Sequence, residues 1–312
     1  MIDTVEPGEL IARFGDYVEE RDATLLVGAG LSQAAGYPDW HGLLNPVKDD
    51  LALGDMDDLA LVAQYYANKH GDSELDARIR QELQGCVDAE PQVSHQLLAK
   101  LPLTEIWTTN YDDLIERAIG KTANLCVEDS DLAQPRSASG CRVYKMHGSL
   151  CHANKPLIIA RDQYDQYRYS HQRFWTLLQA TFLTKSFLFL GFSFDDPNFK
   201  QVFKAARLTR DDVRRQHFAL IKPPRDPLAV PEFEHWRKDL LDIGVSVATL
   251  DEYDEIETLL RQLVVRCRPR RLFVSGSPPG EKRLFGFERG VGVAVAVAGV
   301  REWWVGGLQN RG

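Results

Sequence analysis

The segment Thr24-Leu25-Leu26-Val27-Gly28-Ala29-Gly30-Leu31-Ser32 decides the predicted fold of this 312-residue chain. Its apolar residues run directly into a glycine turn, a pattern typical of a buried parallel strand that ends in a phosphate-binding loop. Glycine at positions 28 and 30 lets the backbone turn sharply and approach a diphosphate, and the following amides can face its oxygens. The spacing, Gly-Ala-Gly-x-Ser closed by Gly36, differs from the GxGxxG of dehydrogenases. A tight turn without a ligand is the alternative for this segment taken alone.

Three further segments also pair an apolar strand pattern with small or polar residues at its end. Residues 106–112 read Ile-Trp-Thr-Thr-Asn-Tyr-Asp, residues 143–149 read Val-Tyr-Lys-Met-His-Gly-Ser, and residues 187–196 read Phe-Leu-Phe-Leu-Gly-Phe-Ser-Phe-Asp-Asp. In a doubly wound α/β sheet, the carboxyl ends of the strands line the ligand crevice. We therefore predict a Rossmann-like, doubly wound parallel sheet whose crevice collects the residues of all four segments.

The strand that ends at Gly28 and the strand that ends in the TTNYD motif are separated by a long segment. Within it, residues 41–90 show helical rather than strand periodicity. Leu59, Val62 and Tyr66 lie at helical spacing there. We predict that this segment is a helical insertion that caps the crevice. Elsewhere the patterns predict helices over 9–20, 162–182 and 256–265, and strands over 217–221 and 244–248.

Composition excludes several classes of protein. A hydrophobic content of 44% and a charged content of 26% are ordinary for a globular domain. The net charge of −8 argues against direct nucleic-acid binding, and no run reaches the ~18 apolar residues of a membrane span. The five cysteines are scattered and odd in number, and no secretory signal precedes them. We therefore expect reduced thiols and a cytoplasmic location.

The four motifs GAGxS, TTNYD, HGS and GFSxDD, in this order over residues 8–266, resemble the sirtuin family. The resemblance is specifically to the sirtuin-like NAD-consuming enzymes of bacterial defence systems. It implies a sirtuin-like fold and NAD+ as substrate, and it requires no metal. The implied function is an NAD+ hydrolase that cleaves the nicotinamide–ribose bond and depletes cellular NAD+ in anti-phage abortive infection. The alternatives are an NAD-dependent protein deacylase or ADP-ribosyltransferase, and a non-catalytic sensor of NAD+ or ADP-ribose.

Two residues are the predicted catalytic groups. Asn110 carries an amide at a strand end, where it can donate to one group and accept from another. By resemblance, it orients water or a ribose hydroxyl at the anomeric carbon. His147 is the candidate base, because a pKa near 6.5 suits proton transfer at neutral pH. The other histidines lack such a context, and we interpret them as structural or surface residues: His41, His70, His95, His152, His171, His217 and His235.

The diphosphate is assigned to the first glycine loop. Gly28, Ala29 and Gly30 supply the close backbone approach, and the Ser32 hydroxyl can donate a hydrogen bond to the same group. The alternative for Ser32 is a helix N-cap, since serine is a preferred residue there.

Three more residues are assigned by resemblance. Asp112 helps to hold the nicotinamide ribose and amide, with the N-cap of the following helix as its alternative role; both roles are compatible only through different oxygens. Gly191 and Ser193 contact the adenosine ribose. The neighbouring pair, Asp195 and Asp196, suggests a metal at first sight, but before Pro197 it is more typical of a helix cap and a solvated turn.

The sequence departs from protein-deacylating sirtuins at two places. Cys141 and Cys151 stand near the HGS motif, but the chain contains no CxxC pair, so a tetrahedral zinc site lacks its ligands. The first loop is followed by Gly-Tyr-Pro-Asp-Trp rather than by the usual Ile-Pro-x-x-Arg. Both departures weigh against deacylation. The aromatic segment from Tyr164 to Trp175 can stack on nicotinamide or adenine, although core packing is its more common role.

The composition changes after Cys267. We assign residues 1–267 to the sirtuin-like NAD-binding catalytic domain and residues 268–280 to a basic linker and a strand. That strand resembles the opening of a SLOG domain, the nucleotide-sensing module of Thoeris-type effectors. Residues 281–312 form an atypical tail that we expect to be disordered, as after a truncation or frame shift. The expected partners are NAD+, further copies of the chain in a homo-oligomer, and a regulatory nucleotide or protein acting through a missing C-terminal domain.

Overall fold

A computed structural model describes residues 5–54, 56–135, 140–207 and 215–267. The predicted linker and strand at 268–280 and the predicted tail at 281–312 lie outside the described residues. Within them the chain forms one sheet, whose strands are β1 (Ala23–Val27), β2 (Glu105–Thr108), β3 (Ala123–Cys126), β4 (Cys141–Lys145), β5 (Ser186–Leu190), β6 (His217–Ile221) and β7 (Val245–Thr249).

All neighbouring strands run parallel, in the order β3-β4-β2-β1-β5-β6-β7. From β1 the chain forms β2 beside it, then the edge strand β3, then β4 between β2 and β3, and it finally crosses to β5 on the other side of β1. The order therefore reverses between β1 and β5, which is the topological switch point where α/β sheets bind ligands. The predicted doubly wound, Rossmann-like sheet is confirmed.

The helices are α1 (Pro7–Glu19), α2 (Ala29–Ser32), α3 (Trp40–Asp50), α4 (Leu59–His70), α5 (Asp72–Leu83), α6 (Val93–Leu98), α7 (Leu114–Ile119), α8 (Arg161–Ser170), α9 (Gln172–Thr184), α10 (Pro197–Arg207), α11 (Val230–Leu241) and α12 (Glu255–Arg266). None of the helices in the described ranges combines the length and the apolar composition needed to cross a bilayer.

Helices cover both faces of the sheet, which explains why the central strands are apolar throughout. Successive side chains of β1 alternate between the two cores, as the pleat requires. Leu25 belongs to the core beneath α1, α6 and α12, where Phe14 meets Phe218 edge to face at 6.1 Å. Leu26 belongs to the opposite core, which is rich in aromatic residues from α8, α9 and α10.

The segment between β1 and β2 contains three long helices, α3, α4 and α5, which share a core of their own. Val62 and Ile79 are fully buried in it, together with Tyr111 and Leu157, which follow β2 and β4. Because those two residues lie beyond the carboxyl ends of their strands, the helical insertion packs over the crevice end of the sheet. The helical insertion of the predicted fold class is thereby confirmed.

Two local predictions need correction. The single helix predicted over 162–182 is two helices, because His171 leaves the helical conformation with φ −123° and ψ 50°. The edge strand β3 was not predicted. It has four residues, of which only Cys126 is buried, so its sequence lacks the apolar run that marks the central strands.

Candidate functional site

A cavity of about 770 Å³ lies at the carboxyl ends of the central strands. That volume is within the range of small-molecule and cofactor sites. All nine predicted site residues line it: Gly28, Ala29, Gly30, Ser32, Asn110, Asp112, His147, Gly191 and Ser193. The sequence therefore identified residues that the fold brings to one place from four separate strand ends.

The loops after β1 and β5 pack backbone against backbone. A Cβ at position 28 would lie 2.4 Å from the Gly191 carbonyl oxygen, and a Cβ at position 191 would lie 2.4 Å from the Leu31 nitrogen. Gly191 also has a φ of +61°, in the left-handed region that favours glycine. These glycines are thus required by the contact between the two loops, independently of any ligand.

The amides of the first loop are used differently from the prediction. Those of Gly28 and Gly30 donate to carbonyls at the end of β5 and in the loop after it, at 2.9 and 3.0 Å. The Leu31 amide donates to the Gly28 carbonyl at 3.1 Å. The expectation that the loop's successive amides face a diphosphate is therefore wrong for these three. It stays a prediction for Ala29, at the start of α2.

Ser32 takes neither of the two roles predicted for it. Its hydroxyl donates to Asp112 Oδ2 at 2.9 Å and accepts from Asn110 Nδ2 at 3.0 Å. The hydroxyl proton is committed to a carboxylate, so in this arrangement it is not available to a diphosphate. Ser32 ends α2, and its side chain caps neither that helix nor the 3₁₀ turn that follows. It links the other two residues instead.

Asp112 uses its two oxygens for two purposes. Oδ2 accepts from Ser32, while Oδ1 accepts from the Leu114 amide at 3.1 Å at the start of α7. The bond from Leu114 reaches the first turn of α7, although the N-cap residue of that helix is Asp113, and the predicted contact of Asp112 with the nicotinamide ribose and amide stays a prediction. The side chain is buried, so the Asn110–Ser32–Asp112 chain is a fixed part of the crevice wall.

Asn110 combines one satisfied and one unsatisfied end. Its Nδ2 donates to the Gly28 carbonyl at 3.1 Å and to Ser32 Oγ at 3.0 Å. Its Oδ1 is buried and has no hydrogen-bond partner among the described residues. Leaving a buried acceptor unpaired costs about 1–3 kcal/mol. An orphaned acceptor in the wall of a cavity is suited to a hydroxyl or a water molecule of the bound state.

His147 lies two residues beyond β4, with 3% of its side chain exposed. Its ring packs edge to face on Tyr164 at a centroid distance of 5.0 Å. Burial lowers the pKa of His147, and the nearby His171 lowers it further, whereas the Asp196 carboxylate acts in the opposite direction. Neutral imidazole is the form that can accept a proton, so the environment matches the predicted base.

Asp196 is a site residue that the sequence reasoning missed. Its Oδ2 lies 3.2 Å from His147 Nε2, although the two atoms are not in hydrogen-bond geometry. Its Oδ1 accepts from the Phe199 amide at 2.9 Å, which confirms the predicted helix cap. The predicted solvated turn fits Asp195, which is 80% exposed beside Lys200, but is wrong for Asp196, which is 9% exposed. The sequence signal that could have identified Asp196 is its position directly before proline. An aspartate there can use one oxygen to cap the helix and leave the other oxygen for a partner.

Lys145 was also missed. Its side chain is almost fully buried at the end of β4, where Nζ donates to the Asp112 carbonyl oxygen and lies 3.1 Å from Glu116 Oε1. A buried lysine is rarely tolerated without such partners. It ties the loop after β2 to β4, and so it fixes Asn110 and His147 relative to one another.

Ser193 and the aromatic segment from Tyr164 to Trp175 make contacts within the protein. The Ser193 hydroxyl accepts from the Asp195 amide at 3.3 Å, within the loop that follows β5. Tyr167 and Phe174 are buried in the aromatic core, so packing accounts for these two residues of the aromatic segment. Tyr164, buried in the same core, also lines the cavity.

The described ranges contain no disulfide and no group of three or more His, Cys, Asp or Glu side chains placed to hold a metal ion. Cys151 Sγ instead contacts Asp113 Oδ2 at 3.6 Å. Asn110, His147, Asp112 and Asp196 are among the polar side chains that line the cavity.

Comparison with known proteins adds to this geometry. Residues 104–243 match the family described as "SIR2-like domain". The NAD(+) hydrolase ThsA of Acinetobacter baumannii (strain 532279) is 36% identical over 284 residues, which are 86% of this chain and 58% of that protein. ThsA of Bacillus cereus (strain MSX-D12) is 32% identical over 283 residues, 86% of this chain and 59% of that protein.

A more distant relative is the "Defense-associated sirtuin 2" of Bacillus subtilis. It is 24% identical over 244 residues, which are 74% of this chain and 24% of that protein. The chain thus spans 58–60% of the length of the ThsA relatives that it matches.

Proposed function

We propose that the chain hydrolyses NAD+ to nicotinamide and ADP-ribose, a function in keeping with the match of residues 104–243 to the SIR2-like domain family. The observation that carries the proposal is the pair of functional groups at two adjacent strand ends. Asn110 presents an unpaired buried acceptor, and His147 a buried imidazole of lowered pKa, to one cavity. The relatives named NAD(+) hydrolase ThsA support the same activity.

We propose that NAD+ lies across the strand ends, along the order of the strands in the sheet. With Asn110 and His147 at the nicotinamide ribose, beyond β2 and β4, the diphosphate falls at the interlocked loops after β1 and β5. The adenosine then extends towards β6, where Lys222, Trp236 and Tyr253 also line the cavity. Gly191 and Ser193 lie on the way, consistent with the predicted contact to the adenosine ribose.

In the proposed reaction, the bond between the anomeric carbon and the nicotinamide nitrogen breaks. Nicotinamide leaves with the bonding electron pair, and the ribose passes through an oxocarbenium-like state. Water forms the new bond to the anomeric carbon, and its proton passes to His147. The Asn110 Oδ1 atom accepts a hydrogen bond from that water or from a ribose hydroxyl, and so aligns the attack. Asp112 holds the Asn110–Ser32 pair in place.

A biological setting belongs with this activity. We place the activity in the cytoplasm and in anti-phage defence, where depletion of NAD+ would halt an infection. The scattered cysteines agree with a reducing compartment. An enzyme of this kind must be restrained, so the proposal adds a homo-oligomer and control by a nucleotide or a protein partner, with no metal and no direct nucleic-acid binding.

The test is product analysis of the purified chain with NAD+, with and without an acyl-lysine peptide. We expect nicotinamide and ADP-ribose in equal amounts, independent of the peptide. Peptide-dependent formation of an O-acyl product would support the deacylase, and transfer to protein would support the ADP-ribosyltransferase. Cyclic ADP-ribose as the main product would show that water is not the acceptor. Binding of NAD+ without any cleavage would identify a sensor.

A further inference from the structure

Asp196 connects two distant parts of the site through its two oxygens. Oδ1 accepts from the Phe199 amide at 2.9 Å and starts α10, while Oδ2 lies 3.2 Å from His147 Nε2 beyond β4. Both the aspartate and the histidine side chains are nearly buried, at 9% and 3% exposure. The helix cap leaves the carboxylate little freedom to turn away, so Oδ2 is held against the imidazole.

The other groups that face His147 are not anionic. Tyr164 and Tyr167 of α8 pack edge to face on its ring at 5.0 and 6.3 Å, and burial raises the pKa of both phenols well above the usual value. His171, between α8 and α9, acts against protonation of His147. Asp196, at the start of α10, is the carboxylate among these neighbours.

We infer that Asp196 is the positioning residue for His147, which holds the imidazole ring and stabilises the imidazolium formed when the base takes a proton. This inference rests on the proposed function. A charge in a buried site is costly without a partner of opposite sign. When the water proton moves to His147, Asp196 supplies that partner and takes no proton itself, so the charge is balanced within the pair.

The loop that carries Asp196 is held from both sides, which is what such a role requires. Phe194 adopts a φ of +66°, which is unusual for an aromatic residue, and it is buried against Phe189 at a ring distance of 4.8 Å. Phe199, on the other side of Asp196, is fully buried. The geometry at His147 is therefore set by the packing of this loop and needs no bound ligand.

The experiment compares Asp196→Asn with Asp195→Asn in the full chain. Asparagine keeps an oxygen that can accept from the Phe199 amide, but it removes the negative charge beside His147. We expect kcat for NAD+ to fall at least ~10-fold, with KM nearly unchanged. Asp195→Asn, at an exposed position, is expected to leave both constants unchanged.

An independent readout is the NMR titration of the His147 imidazole, which requires no turnover. Removal of the Asp196 charge should lower the pKa of His147, and the acidic limb of the kcat profile should move to lower pH by the same amount. If wild-type protein cleaves no NAD+, the proposed function fails, while the titration still tests the pairing. The inference is overturned if Asp196→Asn equals Asp195→Asn in kcat and in the His147 titration. A lower melting temperature with unchanged kcat and titration would also overturn it, because Asp196 would then be only a helix cap.

Discussion

The two ends of the sheet each hold a buried histidine, and the two histidines have different surroundings. His217 begins β6 at the amino end, where its Nδ1 accepts from the Phe187 amide at 3.1 Å and its ring stacks on Phe182 at 4.0 Å. His147 follows β4 at the carboxyl end, where it faces a cavity and a carboxylate. Burial lowers the pKa of both. Burial and a shifted pKa therefore do not by themselves identify a functional histidine.

What separates the ends is whether unsatisfied polar groups line the cavity, because Glu105 Oε1 and Arg215 Nε near the amino end also lack a hydrogen-bond partner among the described residues but do not line it. At the amino end, the Phe187 amide donates to His217 at the start of β6, and the Ser186 hydroxyl donates to the Gln216 carbonyl just before it. At the carboxyl end, Asn110 Oδ1 is left without a partner among the described residues, and His147 Nε2 has a close carboxylate but no hydrogen bond of good geometry. Unsatisfied buried atoms beside a cavity mark the end of the sheet where a substrate completes the site.

The largest expected effect separates the two histidines by activity. His147→Ala and Asn110→Ala should each lower NAD+ turnover by at least ~10²-fold, because each removes a group that acts on the reacting atoms. His217→Gln should leave kcat of the folded protein unchanged, while lowering its melting temperature through the lost stacking on Phe182. Steady-state kinetics and thermal unfolding of the three variants measure this. Near-normal turnover in either of the first two would remove that residue from the catalytic pair.

Glycines allow a second comparison of the two ends. Gly191 (φ +61°) and Gly244 (φ +88°) both adopt the left-handed region, and an added Cβ would meet the Leu31 nitrogen at 2.4 Å or the Arg215 oxygen at 2.8 Å. We expect either alanine variant to lose about 2–4 kcal/mol of unfolding free energy from strain and overpacking. Gly191→Ala should also raise KM for NAD+, because it separates the two loops where we propose that the diphosphate binds. An equal rise in KM for Gly244→Ala would break the distinction between the ends.

The sequence predicted the carboxyl end better than it predicted individual contacts. An apolar strand followed by Gly, Asn or His is a local signal, and parallel strands bring such ends to one edge, so the nine residues could be grouped from the sequence alone. The partners of Ser32 and Asp196 depend on which side chains meet across separate strands, about 80 residues apart for Ser32 and Asp112. The edge strand β3 was not predicted for a different reason, because its half-buried residues show no apolar pattern.

At the amino end, His217 should make the unfolding free energy of the protein depend on pH in the acid range. The pKa of His217 is lowered from 6.5 to about 3 in the folded state by burial and by Arg215. In the unfolded chain this histidine titrates near 6.5, so between the two values the unfolded state binds the additional proton. Its contribution is fully present above pH 6.5 and is lost as the pH falls towards 3, by at most about 1.4 kcal/mol per pH unit.

The measurement is denaturant unfolding of wild-type protein and His217→Gln across that pH range. The unfolding free energy should change more steeply with pH in the wild-type protein than in the variant. The difference should correspond to the uptake of up to one proton on unfolding, because the other buried histidines contribute equally to both proteins. Identical slopes would mean that His217 is accessible to solvent protons in the folded state. His217 could then no longer serve as the buried histidine with which His147 is compared.

The smallest expected effect is that of chelation. Each histidine has its own explanation without a metal: His217 Nδ1 accepts from a backbone amide, and His147 Nε2 faces the single carboxylate Asp196. Within the described part of the chain, no third ligand stands close enough to complete a site. EDTA or a stronger zinc chelator should therefore change neither the melting temperature nor NAD+ turnover. Metal analysis of the purified protein provides the check, since stoichiometric zinc that leaves together with stability would mean that one of these ends is a metal centre.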